Sequence, residues 1–483
     1  MVHSDNQTHA AAPAAPRPGI ATAGELRASG HAYESVKEEI RRNLLAAMRA
    51  GEHRFEGIIG FDQTVLPQLE RALLAGHDTM LLGERGQGKT RLIRTLPELL
   101  DEWTPAIDGC EINDHPYRPV CARCVRLAAE QGDALAVTWR HRSERYGEKL
   151  ATPDTSVGDL IGDVDPVKVA EGRTLGDAET IHFGLVPRTN RGVFCLNERP
   201  DLAERIQVSL LNVLEERDIG VRGYALRLPL DLILVASANP EDYTSRGRII
   251  TPLKDRFGAE IRTHYPLSLS DELALIRQEA RIAADGSDPG AALPGHLVEV
   301  IARFTRLVRA SPAVDARSGV SARFAIAAAE SAAASAVRRS ALTGEQTPVV
   351  RICDLPPVVT TLRGKVEFEV SEEGREQEVL EHMLRRATAD TYRARLGNTD
   401  LSGLLALFEG GGTVETGELV PASDLLSRVG EVTGLARIMQ RLGMEGSESL
   451  GHAAAAVEFA LEGLYLMRRL SKDEVDGGAV YRT

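Results

Sequence analysis

The hydrophobic residues between positions 33 and 266 occur mainly in short runs that alternate with amphipathic stretches. Three of these runs, Thr79 to Gly83, Gly192 to Leu196 and Asp231 to Ser237, are dominated by apolar residues. Runs of this kind are typical of strands buried on both faces of a parallel sheet whose crossover connections are helices. The pattern therefore predicts an α/β domain over residues 33–266.

After residue 266 the apolar residues follow a helical spacing. One predicted helical face carries Leu297, Ile301, Phe304 and Leu307. The segment from Arg323 to Arg339 is rich in Ala, the residue with the highest intrinsic helix propensity. We predict a helical lid over residues 267–345 and a mostly helical C-terminal region over residues 346–483.

Residues 1–32 combine Ala, Pro and polar side chains with almost no large apolar ones. Such a segment buries too little apolar surface to offset the entropy lost on ordering, so we predict a disordered tail. Order is expected to begin near Tyr33, with an amphipathic helix that ends at Gly51.

Composition narrows the classes of function. The chain has 483 residues and a formal net charge of −13, which argues against nucleic acid as a partner because affinity for nucleic acid comes from neutralised phosphates. No apolar run reaches the roughly 18 residues that a membrane helix needs, and five cysteines do not suggest a disulfide framework. We predict a cytoplasmic protein without membrane insertion. The charged stretch 141–149 is expected to be a solvated surface, with a partner contact as the alternative.

One segment fits the phosphate-loop pattern G-x-x-x-x-G-K-[ST] and lies between a predicted strand and a predicted helix. Its residues are Gly83, Glu84, Arg85, Gly86, Gln87, Gly88, Lys89 and Thr90. The glycines let the backbone turn tightly and offer N–H groups to a polyphosphate, Lys89 reaches the β- and γ-phosphates, and Thr90 ligates Mg²⁺. We predict that this loop binds ATP with Mg²⁺.

Polar residues follow the other two predicted strands. Asn197 and Glu198 come directly after the run that begins at Gly192. Glu198 is the predicted base that polarises the attacking water. Asn197 can contact a metal-bound water but brings no charge, which would lower the affinity for Mg²⁺ or the turnover. Asn239 follows the third strand, where its side chain would meet the γ-phosphate.

In their order and spacing these segments resemble the motifs of AAA+ ATPases, in particular the clade that contains magnesium chelatase subunit I and MoxR-type ATPases. The resemblance covers roughly residues 35–340 and rests on GERGQGKT, RGVFCLNE, ASANPED, TPLKDRFG and SARF. It implies a P-loop parallel sheet with flanking helices, followed by an all-α lid. It also implies that the protein hydrolyses ATP to remodel or activate a partner protein.

The resemblance assigns roles to further residues. Ile58, Ile59 and Gly60 would border the adenine, and Asn239 would sense the γ-phosphate. Arg256 would be the arginine finger that reaches into a neighbouring subunit, and Arg323 the sensor arginine of the lid. Because an active site of this kind lies between subunits, the resemblance implies a homo-oligomeric, six-membered ring. A protein with a von Willebrand A domain is the implied partner.

Two other functions stay open. The first is that the chain resembles, and acts as, the ATPase subunit of magnesium chelatase. Asn197 and the segment after about residue 345 depart from the usual pattern of that subunit. Asn197 also favours a nucleotide-dependent interaction switch with little hydrolysis. A transcription activator is disfavoured because the loop by which such proteins grip their sigma factor is absent and no C-terminal helix-turn-helix is evident.

Three cysteines and a histidine lie close together in the sequence. Cys110, Cys121 and Cys124, with His115 between them, have types and spacing that could supply four tetrahedral zinc ligands. The pattern contains one C-x-x-C pair rather than two, so reduced thiols without a metal are the alternative.

Overall fold

The computed structural model describes residues 18–150, 152, 154–164, 181–197, 206–210, 219–221, 224–226, 228–240, 251–282, 290–315, 318–430, 433–447, 449–475 and 477–483. Its α-helices are α1 (Ala23–Ala28), α2 (Val36–Ala50), α3 (Val65–Leu74), α4 (Lys89–Thr95), α5 (Ala122–Gln131), α6 (Val157–Leu160), α7 (Leu185–Arg188), α8 (Thr251–Arg256), α9 (Leu269–Glu279), α10 (Gly295–Arg309), α11 (Ala322–Thr343), α12 (Pro356–Leu362), α13 (Glu376–Leu396), α14 (Ser402–Leu405), α15 (Ala422–Val429), α16 (Leu435–Arg441) and α17 (Leu450–Leu466). Residues 206–210 are also helical. Among the described helices, none has the length and apolar character needed to cross a bilayer.

The strands are β1 (Thr79–Leu82), β2 (Trp103–Ile107), β3 (Val137–His141), β4 (Tyr146–Leu150), β5 (Gly162–Val164), β6 (Ile181–Phe183), β7 (Gly192–Asn197), β8 (Ile219–Val221), β9 (Tyr224–Leu226), β10 (Leu232–Ala238), β11 (Ala259–Arg262), β12 (Val414–Gly417), β13 (Ser471–Val475) and β14 (Gly478–Arg482). The three strands predicted from apolar runs correspond to β1, β7 and β10.

The chain divides into two compact units. One contains Met1–Gly83 and Gly88–Thr263, and the other contains Glu84–Gln87 and His264–Thr483. The change from the first unit to the second at Thr263 lies close to the predicted domain boundary at residue 266. The four residues Glu84–Gln87 of the phosphate loop are grouped with the second unit.

A five-stranded sheet organises the first unit, with the strand order β11-β1-β10-β7-β4. All four neighbouring pairs are parallel. Strand β1 is followed along the chain by strands on one side of it and finally by β11 on the other, so the strand order reverses at β1. Open α/β sheets bind ligands in the crevice outside the carboxyl ends of the strands at such a point. The predicted α/β fold class is confirmed.

Successive side chains of the sheet enter two different hydrophobic cores. Phe194 and Leu196 of β7 pack into one core, whereas Val193 and Cys195 pack into the other. This alternation buries the sheet on both faces, which explains why its strands have continuous apolar runs rather than alternating polar and apolar residues.

Helix α1 lies inside the segment that was predicted to be disordered. The Thr22 hydroxyl caps the helix by accepting a hydrogen bond from the Glu25 N–H. The Ala23 N–H donates to the Leu135 carbonyl oxygen, and Leu26 is fully buried. The prediction of a disordered tail is therefore wrong for residues 18–32, because partners distant in the sequence supply the burial that local composition does not reveal. Residues 1–17 lie outside the described residues.

One hydrophobic core extends through the second unit, from Ile276 in α9 to Tyr481 in β14. The predicted lid and C-terminal region share this core. The unit also contains an antiparallel sheet in the order β12-β14-β13, which the helical prediction for residues 346–483 missed. Strand β13 has the sequence SKDEV and is mostly exposed, so it lacks the apolar alternation that identifies a strand.

The charged stretch 141–149 is only in part a solvated surface. Arg145 is 1% exposed, and its guanidinium donates to both carboxylate oxygens of Glu39 at 2.7 and 2.6 Å. The residues that follow Arg145 form β4, the edge strand of the parallel sheet. The stretch was misjudged because the partner of Arg145 is on α2, far away in the sequence.

Candidate nucleotide-binding site

The carboxyl ends of β1 and β10 bring two predicted site residues together. Lys89 lies in the phosphate loop that follows β1, where α4 begins, and Asn239 follows β10. The Lys89 Nζ donates to the Asn239 Oδ1 at 2.9 Å and also to the Gly83 carbonyl oxygen. The Gly83 N–H in turn donates to the Ala238 carbonyl oxygen at 3.2 Å. A direct hydrogen bond thus joins the lysine of the loop to the asparagine at the end of the adjacent strand.

Two glycines of the loop adopt backbone angles that other residues rarely take. Gly86 and Gly88 have φ values of +75° and +78°, which glycine adopts without the steric cost of a Cβ. A Cβ on Gly86 would lie 1.9 Å from the Ser321 Oγ, a contact inside the second unit. Apart from its chain neighbours, no described residue lies within 4 Å of a Cβ placed on Gly88. The space beside Gly88 is therefore open in this direction.

Asn197, a predicted contact of the metal, lies at the carboxyl end of β7 and is 4% exposed. Its Nδ2 donates to the Glu148 Oε1 at 2.5 Å, and its Oδ1 accepts from the Ser237 Oγ at 3.0 Å. The Glu148 carboxylate also accepts from the Arg94 guanidinium at 2.9 and 3.1 Å. Asn197 therefore joins three strands of the sheet by its side chain, and a carboxylate lies beside it.

Two protonated groups complete this network. The Cys195 thiol donates to the Asn197 Oδ1 at 3.6 Å. Burial, followed by the nearby Glu148 charge, raises the pKa of Cys195 and keeps its thiol a donor. The Tyr146 hydroxyl donates to the Glu148 Oε2 at 2.9 Å, and burial is the largest cause that raises the pKa of Tyr146. The Glu148 carboxylate thus accepts hydrogen bonds from one charged donor, Arg94, and from the neutral side chains of Asn197 and Tyr146.

Sequence reasoning missed Glu148 and Ser237. Glu148 belongs to a short, charged edge strand, and Ser237 is one small polar residue in an apolar run. Their only common signal is that each strand would reach the same edge of the sheet as Asn197. Recognising this required β4 to be identified as part of the sheet.

The other predicted residues occupy separate places. Ile58, Ile59 and Gly60 form a half-buried loop before α3, and Ile58 packs against a core of the first unit. Arg256 ends α8 with its side chain 38% exposed, and its Nη1 lies 3.6 Å from the Asp255 Oδ2. Glu198 lies outside the described residues. The roles of all these residues remain predictions.

Arg323 lies in the second unit, in the first turn of α11. Its N–H donates to the Ser321 Oγ at 3.2 Å. The N–H of the preceding Ala322 donates to the Gly86 carbonyl oxygen at 3.4 Å. The part of the phosphate loop that belongs to the second unit therefore contacts the residues beside Arg323.

The predicted zinc-binding residues need one correction. Cys110, Cys121 and Cys124 lie together, but the fourth side chain at the cluster is Asp114 and not His115. The His115 Nδ1 accepts from the Tyr117 N–H at 3.0 Å, and its Nε2 lies 3.2 Å from the His31 Nε2. Burial is the largest cause that lowers the pKa of His115, to about 2.

The residues at the loop fit the phosphates of a nucleotide. The Lys89 ammonium supplies a positive charge beside Asn239, and the open position at Gly88 leaves space for an approaching ligand. A parallel sheet with flanking helices, a phosphate loop after β1 and a polar residue after β10 together match the P-loop fold of AAA+ ATPases.

Sequence comparison confirms the resemblance to magnesium chelatase subunit I. The magnesium-chelatase 38 kDa subunit of Rhodobacter capsulatus is 28% identical over 244 residues, which are 48% of this chain and 61% of that protein. Subunit ChlI of Synechocystis is 28% identical over 217 residues, which are 43% of this chain and 57% of the relative. The chain thus spans less than two thirds of the length of these relatives. No family model matches the chain.

Two solved structures extend the comparison. NtrX from Brucella abortus is 15% identical with a TM-score of 0.39, over 84% of this chain and 72% of that one. A complex of subunits BchI and BchD of magnesium chelatase is 21% identical with a TM-score of 0.35, over 68% and 98%. These scores are low, so the fold assignment rests on the sheet and on the sequence relatives.

Proposed function

We propose that this chain is an AAA+ ATPase of the chelatase and MoxR type, which binds and hydrolyses ATP in an oligomeric ring to remodel or activate a partner protein. The observation that carries the proposal is the 2.9 Å hydrogen bond from Lys89 to Asn239 at the carboxyl ends of adjacent parallel strands. A phosphate-binding lysine and a polar strand-end residue held at one position can both contact a terminal phosphate.

The loop residues and the residues that follow β7 and β10 in the sequence would each have a separate role in such a site. ATP bound with Mg²⁺ would supply the phosphoryl group and the neutralisation of its charge. Lys89 and the loop N–H groups hold the phosphates, and Thr90 offers its hydroxyl to the metal ion. Asn239 orients the terminal phosphate. Glu198, directly after β7 in the sequence, accepts a proton from the attacking water.

The exposure of Arg256 supports a ring. Arg256 is partly exposed at the end of a short helix of the first unit, where a neighbouring subunit can meet it. An arginine supplied in trans neutralises charge that develops on the γ-phosphoryl group and links hydrolysis to movement between subunits. We propose a hexameric, cytoplasmic ring, with Arg323 as a sensor in the second unit and a von Willebrand A domain protein as the partner.

Two alternative functions are each supported by one observation. The relatives are named as magnesium-chelatase subunits, so a role in inserting Mg²⁺ into a porphyrin is one candidate. The match covers about half of this chain and 61% of that relative, so this role is proposed from part of each protein. The other candidate is a switch that binds ATP with little turnover, which the engagement of Asn197 with Ser237 and Glu148 favours.

ATP binding and turnover by the full chain test the proposal. We expect slow, Mg²⁺-dependent hydrolysis by the natural protein. Lys89→Ala should bind ATP about 10–100-fold more weakly, because a hydrogen bond to a charged group contributes about 1.5–3 kcal/mol. Glu198→Gln should bind ATP without turnover, and Lys365→Ala, at an exposed lysine in the second unit, should match the natural protein.

Three results would separate the candidates. Undiminished ATP binding by Lys89→Ala would show that the phosphate loop is not the ATP-binding site. Binding without turnover by the natural protein, unchanged in Glu198→Gln, would favour the switch. ATP-dependent insertion of Mg²⁺ into a porphyrin with added chelatase partner subunits would favour the chelatase role.

A further inference from the structure

A cluster of four buried side chains lies between β2 and the first turn of α5, away from the phosphate loop in the sequence. The Sγ atoms of Cys110, Cys121 and Cys124 and a carboxylate oxygen of Asp114 all lie within 4.8 Å of one another. A tetrahedral zinc ion with Zn–S bonds of about 2.3 Å places its sulfur ligands about 3.8 Å apart. The side chains are therefore already gathered to nearly the spacing of a zinc site.

Asp114 is the member of the cluster with an unsatisfied buried oxygen atom. It is fully buried, and its Oδ2 accepts from the N–H groups of Val120 and Cys121 at 3.0 and 2.9 Å. Its Oδ1 is buried without a hydrogen-bond partner among the described residues. A buried carboxylate oxygen left in this way is costly unless it is paired or coordinates a metal.

Two of the three sulfur atoms each accept a hydrogen bond from a backbone N–H group. The Asp114 N–H donates to the Cys110 Sγ at 3.3 Å, and the Cys124 N–H donates to the Cys121 Sγ at 3.4 Å. Hydrogen bonds of this kind stabilise a thiolate, which is the form of cysteine that binds a metal. The cysteines are free rather than joined in disulfides.

We propose that Cys110, Asp114, Cys121 and Cys124 bind one Zn²⁺ ion. Three sulfur ligands and one carboxylate suit zinc better than Mg²⁺ or Ca²⁺, which prefer oxygen ligands alone. Four protein ligands leave no position open for water or substrate, so the ion has a structural role. The cysteines release their thiol protons as the ion binds.

The structural role follows from what the metal-binding loop holds in place. The Asn190 Nδ2 donates to the Ile112 carbonyl oxygen at 3.0 Å, and the Asn113 Nδ2 donates to the Arg188 carbonyl oxygen at 2.9 Å. The Arg191 guanidinium contacts the Asn113 carbonyl oxygen at 3.4 Å. Residues 188–191 lead directly into β7, the strand that ends in Asn197. The zinc ion thus fixes a loop that clamps the entry to this strand.

Metal analysis of the full chain tests the site. The protein is reduced, loaded with zinc sulfate and dialysed, and its zinc content is measured by mass spectrometry. We expect one zinc per chain, and an affinity about tenfold or more lower in Asp114→Asn and Cys121→Ser by competition with a chromogenic chelator. Asp114→Cys keeps four ligands and should retain zinc, which separates loss of a ligand from loss of folding. His115→Ala and Cys353→Ser should retain one zinc per chain.

Cobalt reports the ligands directly. Replacing zinc by Co²⁺ should give thiolate-to-cobalt charge-transfer bands and the intense visible bands of a tetrahedral ion, both lost in Cys124→Ser. Less than half an equivalent of zinc after reconstitution would overturn the proposal. So would a disulfide between two of the three cysteines in the reduced preparation, or loss of zinc in His115→Ala with retention in Asp114→Asn.

The clamp is tested by removing the ion from the natural protein with a chelator. Trp103 and Trp139, the two tryptophans of the chain, lie on β2 and β3 at the two ends of the loop region. We expect a lower thermal midpoint by tryptophan fluorescence and faster hydrogen exchange in residues 184–197, both reversed by zinc. An unchanged midpoint and unchanged exchange in protein that has lost one zinc per chain would overturn the structural role.

Discussion

The Nδ2 atom of Asn197 donates a hydrogen bond to the Oε1 atom of Glu148 at 2.5 Å. The asparagine ends β7 and the glutamate lies on β4, so the contact joins neighbouring strands at the sheet edge where the phosphate loop begins. From the sequence alone, Asn197 is a position that lacks a negative charge. In the structure a carboxylate stands directly beside it, and an amide is the group that can donate to that carboxylate.

Asn197→Asp is therefore expected to destabilise the first unit. Two carboxylates would meet at this position, and one of them must take up a proton or move away. We expect a loss of about 1–3 kcal/mol in the free energy of unfolding, the cost of leaving a buried polar group unsatisfied. Urea unfolding of the full chain by tryptophan fluorescence measures it, because both tryptophans lie in this unit.

The charge-exchanged double variant is the control. Asn197→Asp with Glu148→Gln restores a donor opposite a carboxylate, so the double variant should recover most of the stability lost in Asn197→Asp. The coupling energy of the cycle should reach about 0.5–3 kcal/mol. If the two substitutions simply add, the Asn197–Glu148 hydrogen bond contributes nothing that the cycle can detect.

The contact between Lys89 and Asn239 predicts different effects for the two residues. Asn239→Ala keeps the Lys89 charge, so we expect ATP affinity to change by less than about tenfold while hydrolysis slows by about 10²-fold or more. Calorimetric binding and steady-state phosphate release measure the two effects. Asn398→Ala, at an exposed position of the second unit, is the matched control. Full hydrolysis by Asn239→Ala would show that this residue does not act on the terminal phosphate.

The exposed position of Arg256 predicts recovery of activity between two inactive subunits. Arg256→Ala and Glu198→Gln should each abolish hydrolysis, because each removes one contribution to every shared site. Mixed rings contain interfaces with both residues intact, so we expect part of the activity to return. Arg262→Ala, at an 83% exposed arginine, should remain active alone. Mixtures that exchange subunits and yet stay inactive would place Arg256 outside the shared site.

The buried ion pair of Arg145 and Glu39 predicts a large effect on stability. Arg145→Ala leaves the 5% exposed Glu39 carboxylate without its bidentate partner, which costs about 3–5 kcal/mol. Arg140→Ala breaks the exposed pair with Glu144 and should cost at most about 1 kcal/mol. Tryptophan-detected urea unfolding compares both with the natural protein. Equal, small losses would mean that the Arg145 site accommodates water.

The sequence by itself determined the strands β1, β7 and β10, because each is a continuous run of apolar residues. It also determined the phosphate loop, because its glycines and Lys89 follow a strand at the spacing of the phosphate-loop pattern. It also placed Asn239 at a strand end. These features depend on residues that are close together in the chain. Their physical causes are the backbone freedom of glycine, the burial of apolar strands and the positive charge of Lys89.

Tertiary structure alone decided the rest. Edge strand β4 has too few apolar residues to be recognised, and it joins the sheet by pairing with β7. Helix α1 is ordered because it pairs with residues near Leu135, and Asp114 rather than His115 joins the cysteines because the loop turns the imidazole toward His31. In each case the stabilising partner is distant in sequence or depends on the path of a loop. Composition and periodicity record which residues prefer burial, but only the folded chain decides which of them meet.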